Sequence, residues 1–332
     1  MTNNQNPINN NKSYYVGVDF GGTKILSGVF TNSLECIGTA KKKTKAHKGT
    51  EAVIERIARC ILEALDECRL TIDDIKAIGI GAPGSINATT GEVIFSPNLE
   101  WKNVPLKRAL ERILNVPVFV DNDCNVSTLG VFDAELGAEP ESMIGIFIGT
   151  GIGGGIIINR KLYSGLTNTA GEIGHMVIDI DGPKCGCGNY GCFEALASRK
   201  AIFTKIYSAI KDGQKTILTE LLDGKLEDMR SGDLRRAIKR GDEFVLKVVE
   251  QAARYTGIAV ANLINIINPE VVALGGGVIE ALENEMMPVI LDVAGKHAFP
   301  GSMVKTKIIS CRLGDSAGII GAAALAKSSL NP

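Results

Sequence analysis

Short apolar runs of strand length alternate along the chain with longer segments of helical spacing, and glycine clusters mark the junctions. The first ordered segment, Tyr14-Tyr-Val-Gly-Val-Asp19, reads as a buried strand that stops at Phe20-Gly21-Gly22-Thr23-Lys24. Apolar residues 25–30 follow at once, so the glycines make a hairpin turn, and residues 36–44 read as a third strand. Residues 50–69 carry Val53, Ile54, Ile57, Ile61, Leu62 and Leu65 at helical intervals, with Thr50 as the expected N-cap. Residues 75–81 form a buried strand running into Gly81-Ala-Pro-Gly84. Pro105 opens a helix over 105–114 in the first-turn position that proline tolerates. Residues 116–120 are strand-like, and Asp121-Asn122-Asp123 stands where the next helix begins.

The opening device then recurs. Residues 143–148 are apolar, Gly149-Thr-Gly-Ile-Gly-Gly-Gly155 reads as a turn, and Ile156-Ile-Ile158 returns as a strand. Two strand–glycine turn–strand units, each leading a half of the chain, predict a duplicated α/β architecture with a cleft between its halves. Beyond a cysteine loop the pattern turns helical over 198–211, 234–239 and 243–267, where Asn268-Pro269 breaks the run. Val271-Val-Ala-Leu274 is a strand, Gly275-Gly-Gly277 a sharp turn into another helix, and residues 304–310 are strand-like. Asp315 caps an Ala/Gly-rich helix over 316–326, which a duplicated fold returns to the first half. The expected division is a disordered tail over 1–13, a smaller α/β domain over 14–121 plus 315–330, and a larger α/β domain over 122–314 that carries the cysteine loop.

With 332 residues, 45% of them hydrophobic and 22% charged, the chain fits two soluble domains with separate cores. A formal net charge of −1 supplies no broad basic face for nucleic acid or an anionic membrane. The run Lys41-Lys-Lys43-Thr44-Lys45 reads as a solvated strand end. No apolar run reaches the roughly 20 residues that span a bilayer, and the Asn-rich start has no signal-peptide core. Cys36, Cys60, Cys68, Cys124 and Cys311 are scattered, which fits reduced thiols in a cytoplasm better than a disulfide framework.

Chemistry concentrates in a few places. Gly171-Glu-Ile-Gly-His175 is followed by Cys185-Gly-Cys187-Gly-Asn-Tyr-Gly-Cys192-Phe-Glu194. His175, Cys185, Cys187 and Cys192 make the four N/S donors of a closed, structural zinc site, and the glycines let the loop fold round the ion. No Walker A pattern exists, because Gly21-Gly-Thr-Lys24 lacks the preceding glycine at the required spacing. Gly149-Thr-Gly151-Ile-Gly-Gly154 matches the G-x-G-x-x-G string, yet a β-branched run follows it instead of the helix a Rossmann site needs.

Two glycine hairpins can still cradle phosphates through their N–H groups, with Thr23 and Thr150 adding hydroxyls. Asp19, at the end of the first strand, is placed to hold Mg²⁺ beside them. The paired turns and Gly275-Gly-Gly277 together indicate a nucleotide. Asp121-Asn122-Asp123 offers more polar groups than a helix cap uses, leaving a carboxylate to take the proton of a hydroxyl that attacks phosphorus.

In this order, Asp19-Phe-Gly-Gly-Thr-Lys24, Gly81-Ala-Pro-Gly84, Ser96-Pro-Asn98, Asn122-Asp123, the 149–155 run, Gly171-Glu-Ile-Gly-His175, the cysteine loop and Leu274-Gly-Gly-Gly277 resemble the ROK (repressor, open reading frame, kinase) sugar kinases. The resemblance spans about residues 14–327 and is closest to the bacterial glucokinases of that family. It implies a two-domain α/β actin-like ATPase (ribonuclease H-like) fold with a cleft between domains. It also implies ATP-dependent phosphorylation of the 6-hydroxyl of a hexose, glucose first.

Residue by residue, the resemblance implies Asp123 as general base on the sugar's 6-hydroxyl. Asn98, Asn122, Glu172, His175 and Glu194 match residues that bind sugar hydroxyls, with Gly84 beside them. His175 also matches a zinc ligand, completed by Cys185, Cys187 and Cys192, and the zinc would fix the loop so that His175, Glu172 and Glu194 face the sugar. Gly21, Gly22, Thr23 and Lys24, with Thr150 and Gly151, correspond to the phosphate loops, and Gly276 and Gly277 to the adenosine side. Kinases of N-acetylglucosamine, N-acetylmannosamine or fructose carry nearly the same motifs, and inorganic polyphosphate is an alternative donor. Family regulators that sense sugars carry an N-terminal helix-turn-helix, which is not expected here because the first strand begins at Tyr14. A homodimer is common in the family.

Overall fold

The computed structural model describes residues 14–330, so the tail expected over 1–13 lies outside the described residues. Two units result, one running through Ala134 and resuming at Asp315, the other spanning Glu135–Gly314. The first contains β1 (Tyr14–Phe20), β2 (Lys24–Phe30), β3 (Cys36–Lys43), α1 (Thr50–Glu67) and β4 (Ile75–Ala82). Then come β5 (Ser85–Asn87), β6 (Glu92–Ser96), β7 (Trp101–Val104), α2 (Leu106–Leu114), β8 (Val118–Asn122) and α3 (Asp123–Gly130). Its main sheet has the order β3-β2-β1-β4-β8. β1 and β2, and β2 and β3, run antiparallel, whereas β4 is parallel to both β1 and β8.

The second unit contains β9 (Ser142–Ile148), β10 (Ile152–Ile158), β11 (Lys161–Leu162), α4 (Phe193–Ala197), α5 (Arg199–Lys211) and α6 (Ile217–Leu221). It continues with α7 (Ser231–Lys239), α8 (Glu243–Ile267), β12 (Val271–Gly275), α9 (Gly277–His297) and β13 (Lys307–Ser310). Its sheet order is β11-β10-β9-β12-β13, with an antiparallel hairpin leading and parallel strands following. Strand order and sense therefore repeat those of the first sheet. The last helix, α10 (Ser316–Leu330), belongs to the first unit.

Each unit buries its own core. In the first, α1 turns Val53, Ile54, Ile57, Ile61 and Leu65 into the cluster that holds Val16, Val18, Ile78 and Ile80, while Leu62 faces outward. Burying such side chains stabilises by about 1.5–3 kcal/mol each. Thr50 is the first helical residue and Gly49 the N-cap, because the chain enters the helix at φ 88°, a conformation glycine takes readily. Pro105 likewise sits at the N-cap, one residue before α2. A second sheet, β5-β6-β7, occupies a region without a legible strand pattern. Its strands are short, and their buried residues, Ile86, Val93, Ser96, Trp101 and Val104, do not form an alternating series. Trp101 packs on Phe20 with ring centroids 5.3 Å apart. No helix of the described residues is long and apolar enough to cross a membrane.

The small residues of α10 are explained by what lies under them. Gly17 and Gly79 pair across β1 and β4, and a side-chain carbon at either would overlap the Ile319 or Ala322 carbonyl oxygen of α10. On the other side, a carbon at Gly321 would overlap the Val126 carbonyl, and one at Gly130 the Ala317 carbonyl. α10 thus lies with its backbone against both the sheet and α3. This contact carries the unit boundary to Ala134, past the position after residue 121 expected from the sequence. Gly321→Ala should destabilise the protein by about 3 kcal/mol or more, the upper range for overpacking. Urea denaturation checks this, and a midpoint equal to wild type would show that α3 and α10 can part without cost.

Candidate active site

Polar groups of the first unit collect where β1, β4 and β8 end, the edge of a parallel sheet at which α/β proteins bind ligands. Asp19 is the penultimate residue of β1, and the Gly21–Thr23 turn follows, closed by the Gly21 N–H donating to the Lys24 carbonyl at 2.9 Å. Thr44 pins this turn from the end of β3: its hydroxyl donates to the Gly21 carbonyl at 2.6 Å and its N–H to that of Thr23 at 2.9 Å. Thr44 is fully buried, so the segment read as a solvated strand end holds one structural anchor among its lysines. Lys24 pairs with Asp315 at 2.7 Å and stands 4.0 Å from Asp19.

The Asp121-Asn122-Asp123 triplet divides its tasks. Asp121, buried, accepts the Asn122 N–H at 2.6 Å and the Asn125 side-chain amide at 2.9 Å. Asn122 is the N-cap of α3, its oxygen accepting from Cys124 N–H at 2.8 Å and Asn125 N–H at 3.3 Å. Its amide group donates to the Gly84 carbonyl at 3.0 Å. Gly84 has φ 103° and no room for a side chain, which would overlap the Phe95 carbonyl. Asn98 lies against the glycine turn, its Cβ 3.3 Å from where a Gly22 side chain would start.

With Asp121 and Asn122 engaged, Asp123 carries the remaining carboxylate, held by the Cys124 N–H at 2.9 Å. Burial and then the charge of Asp19 push the Asp123 carboxyl up to about 6, against the pull of the Cys124 N–H. Burial also raises Asp19, with Lys24 lowering it and Asp315 adding to the rise, and burial raises Asp121.

In the second unit, the β9–β10 turn is Gly149-Thr150-Gly151 alone; the remaining glycines belong to β10, correcting the longer turn expected. Gly153, Gly154 and Gly155 pair with Phe147, Ile146 and Gly145, and the missing side chain of Gly154 lets another segment lie on the strand. A carbon at Gly154 would overlap Ile173 and come within 2.6 Å of the Gly145 carbonyl, and one at Gly174 would overlap the Ile152 carbonyl. Gly171, at φ 91°, would meet the Gly154 carbonyl at 2.9 Å. Segment 171–175, which carries Glu172 and His175, is thereby laid flat on β10.

His175 directs Nδ1 toward Cys185 Sγ at 3.7 Å and Nε2 toward Glu172 at 3.9 Å. Cys187 and Cys192 sulfurs are 3.7 Å apart, and all four donors of His175, Cys185, Cys187 and Cys192 lie within 4.8 Å of one another. An ion with sulfur ligands at about 2.3 Å sets tetrahedral edges of roughly 3.8 Å, so this donor set fits one ion. The loop closes through Cys185 N–H to Asn189 carbonyl at 2.7 Å and Gly191 N–H to Pro183 carbonyl at 2.9 Å. Gly191, at φ 67°, is required because a side chain there would overlap the Asp179 carbonyl.

Glu194 links this cluster to the glycine turn, accepting the Ile152 N–H at 2.9 Å while its other oxygen is 3.8 Å from Cys185 Sγ. Arg199, which the sequence reading passed over, donates from its guanidinium to the Thr150 hydroxyl and from its N–H to the Gly149 carbonyl at 2.9 Å. Gly276, at φ 87°, lies where a side chain would come 2.6 Å from the Ile148 carbonyl, so the start of α9 abuts the end of β9. Gly277 faces open space at that helix N-terminus, where free N–H groups favour an anion.

The ROK family profile matches residues 15–329, and the chain belongs to that family. A glucokinase of Halalkalibacterium halodurans is 34% identical over 319 residues, covering 96% of each protein. A xylose repressor of Caldicellulosiruptor bescii is 30% identical over 326 residues, 97% of this chain and 80% of that protein. A ROK family glucokinase from Streptomyces griseus, solved in complex with glucose and AMPPNP, superposes with a TM-score of 0.82 at 31% identity, covering 95% of this chain and 99% of that one. The fold is the α/β actin-like ATPase fold implied by the motifs.

The raised Asp123 carboxyl has a consequence for stability. The folded state binds its proton more tightly than the unfolded state, so stability falls as pH rises between about 3.9 and 6 and stays lowered above that window. Asp123→Asn should therefore raise the urea midpoint at pH 8 and leave it near wild type at about pH 3, where both states are protonated. An equal difference at both pH values would rule out the buried charge as its source.

Proposed function

We propose that this ROK-family sugar kinase transfers the γ-phosphoryl group of ATP to the 6-hydroxyl of glucose, with Asp123 as general base. The observation that carries this is the carboxylate left over when Asp121 and Asn122 are used structurally, with a proton affinity raised to about 6. Such a group is ionised at neutral pH yet more basic than an ordinary aspartate, which suits removal of a hydroxyl proton as O6 attacks phosphorus. The phosphorus–oxygen bond to ADP breaks as the bond to O6 forms, and the proton passes to Asp123. The Gly21-Gly22-Thr23 turn with Lys24, and Thr150 with Gly151, hold the phosphates, while Gly276 and Gly277 take the adenosine side. Mg²⁺ held near Asp19 would supply charge neutralisation at the phosphates, and the half-buried, raised carboxyl of Asp19 fits a cation partner.

Asn98, Asn122, Glu172, His175 and Glu194 bind the sugar hydroxyls beside Gly84. Zinc at His175, Cys185, Cys187 and Cys192 supplies no chemistry to the transfer; it fixes the loop. With Nδ1 toward the thiols, the imidazole keeps its Nε2–H for a hydroxyl or for Glu172. The glucokinase names of relatives at 34% identity favour glucose over N-acetylhexosamines or fructose. Selection among hexoses rests on polar side chains that a wrong sugar leaves unpaired. ATP and reduced thiols point to the cytoplasm as the setting. The xylose repressor relative supports a second reading, a sugar-sensing protein without turnover.

Asp123→Asn should lower kcat at least about a hundredfold while glucose affinity by calorimetry changes little. Turnover near wild type with sugar still bound would remove Asp123 as base. Metal analysis should find about one zinc per chain, and a chelator should weaken glucose binding as well as lower the unfolding midpoint. A zinc-free preparation with unaltered sugar affinity would refute the role of the loop.

A further inference from the structure

We infer that Arg199 is a contact for the γ-phosphate of ATP, an assignment that rests on the kinase reading above and deepens it. Arg199 opens α5 immediately after the N-cap Ser198, whose hydroxyl accepts the Ala201 N–H at 3.2 Å. Lys200 follows, and no acidic residue stands in the first turn. Two cations at a helix N-terminus oppose the helix dipole and lower helix stability, an arrangement that a bound anion reverses.

The guanidinium is also fixed in place. The Arg199 N–H bonds the Gly149 carbonyl at 2.9 Å and the side chain bonds the Thr150 hydroxyl, so backbone and side chain both clamp the turn assigned to phosphate. Among the described residues no carboxylate forms an ion pair with Arg199; its side-chain partner is a neutral hydroxyl. A planar guanidinium with a single neutral partner keeps further N–H donors for the oxygens of a phosphoryl group.

In the transfer, the bond from γ-phosphorus to the ADP oxygen breaks while the bond to the sugar O6 forms, and the sugar proton goes to Asp123. Arg199 keeps all its protons and supplies positive charge to the equatorial oxygens of the phosphoryl group. A role confined to bracing Thr150 would instead leave the discrimination between triphosphate and diphosphate unchanged.

Arg199→Met and Arg199→Lys separate these roles. Calorimetry with AMPPNP and with ADP measures nucleotide affinity without turnover, glucose affinity and thermal midpoint serve as controls, and initial rates give kcat. The expected result is AMPPNP binding weakened at least about tenfold more than ADP binding by Arg199→Met, with kcat reduced about a hundredfold or more. Arg199→Lys should recover part of both, and glucose affinity and the thermal midpoint should stay near wild type. Equal weakening of AMPPNP and ADP, or no weakening of either, would overturn the assignment. Arg199-dependent AMPPNP binding in a wild-type protein without turnover on any sugar would uphold the phosphate contact and sink the kinase reading. Unaltered AMPPNP binding in Arg199→Met, against a wild type that turns over, would do the reverse.

Discussion

Backbone must touch backbone at a handful of places in this protein, and the absence of a Cβ there is the constraint on which the rest depends. Gly17, Gly79 and Gly321 let α10 lie against β1, β4 and α3, which fixes the C-terminal helix in the first unit. Gly84 turns the chain beside Asn122, and Gly154 and Gly174 lay the His175 segment on β10. Gly276 brings the start of α9 to the end of β9. In each case a methyl group would push a functional side chain or a whole helix away. The glycines are therefore concentrated where the proposed chemistry is positioned.

Neighbouring carboxylates in the first unit are also bonded very differently. Asp121 and Asp123 are two residues apart, yet one is taken up by the Asn122 N–H and the Asn125 amide while the other is held locally, by Cys124 and its own N–H. Asn122 caps α3 and also grips the Gly84 carbonyl, tying the helix start to the turn after β4. Asp123 is thereby fixed by its neighbours, the arrangement that the proposed role as base would need. Its proximity to Asp19 adds the like charge that, after burial, raises its proton affinity. In the second unit Glu194 has the corresponding linking role, with one oxygen on the Ile152 N–H and the other facing Cys185.

Much of this was legible in the sequence because the signals were local. Strand–glycine turn–strand units, the helical stripe of α1 and the His175 and Cys185–Cys192 spacing each depend on near neighbours. The duplicated sheet order then follows from the repeat. What escaped depended on distant partners. Thr44 looks like one more polar residue in a lysine run until the Gly21 carbonyl is found above it. Arg199 reads as an ordinary helix-surface cation until its contact with Thr150, distant in sequence, is seen. The β5-β6-β7 sheet escaped because its short strands carry no sustained alternation. Gly153 to Gly155 suggested a turn, since glycine composition alone does not separate a bend from a strand that another segment must approach closely.

The His175 and cysteine cluster makes the same point about chemistry. Its donors fit one tetrahedral ion, and its loop ends next to Glu194, so metal and sugar chemistry would be joined by a single short helix. The most direct test of the account is the initial rate of ADP release over a panel of hexoses and N-acetylhexosamines at saturating Mg-ATP. Rapid, saturable release with glucose, exceeding that with every other sugar, is the predicted result. ADP release no faster with any sugar than without one would contradict it.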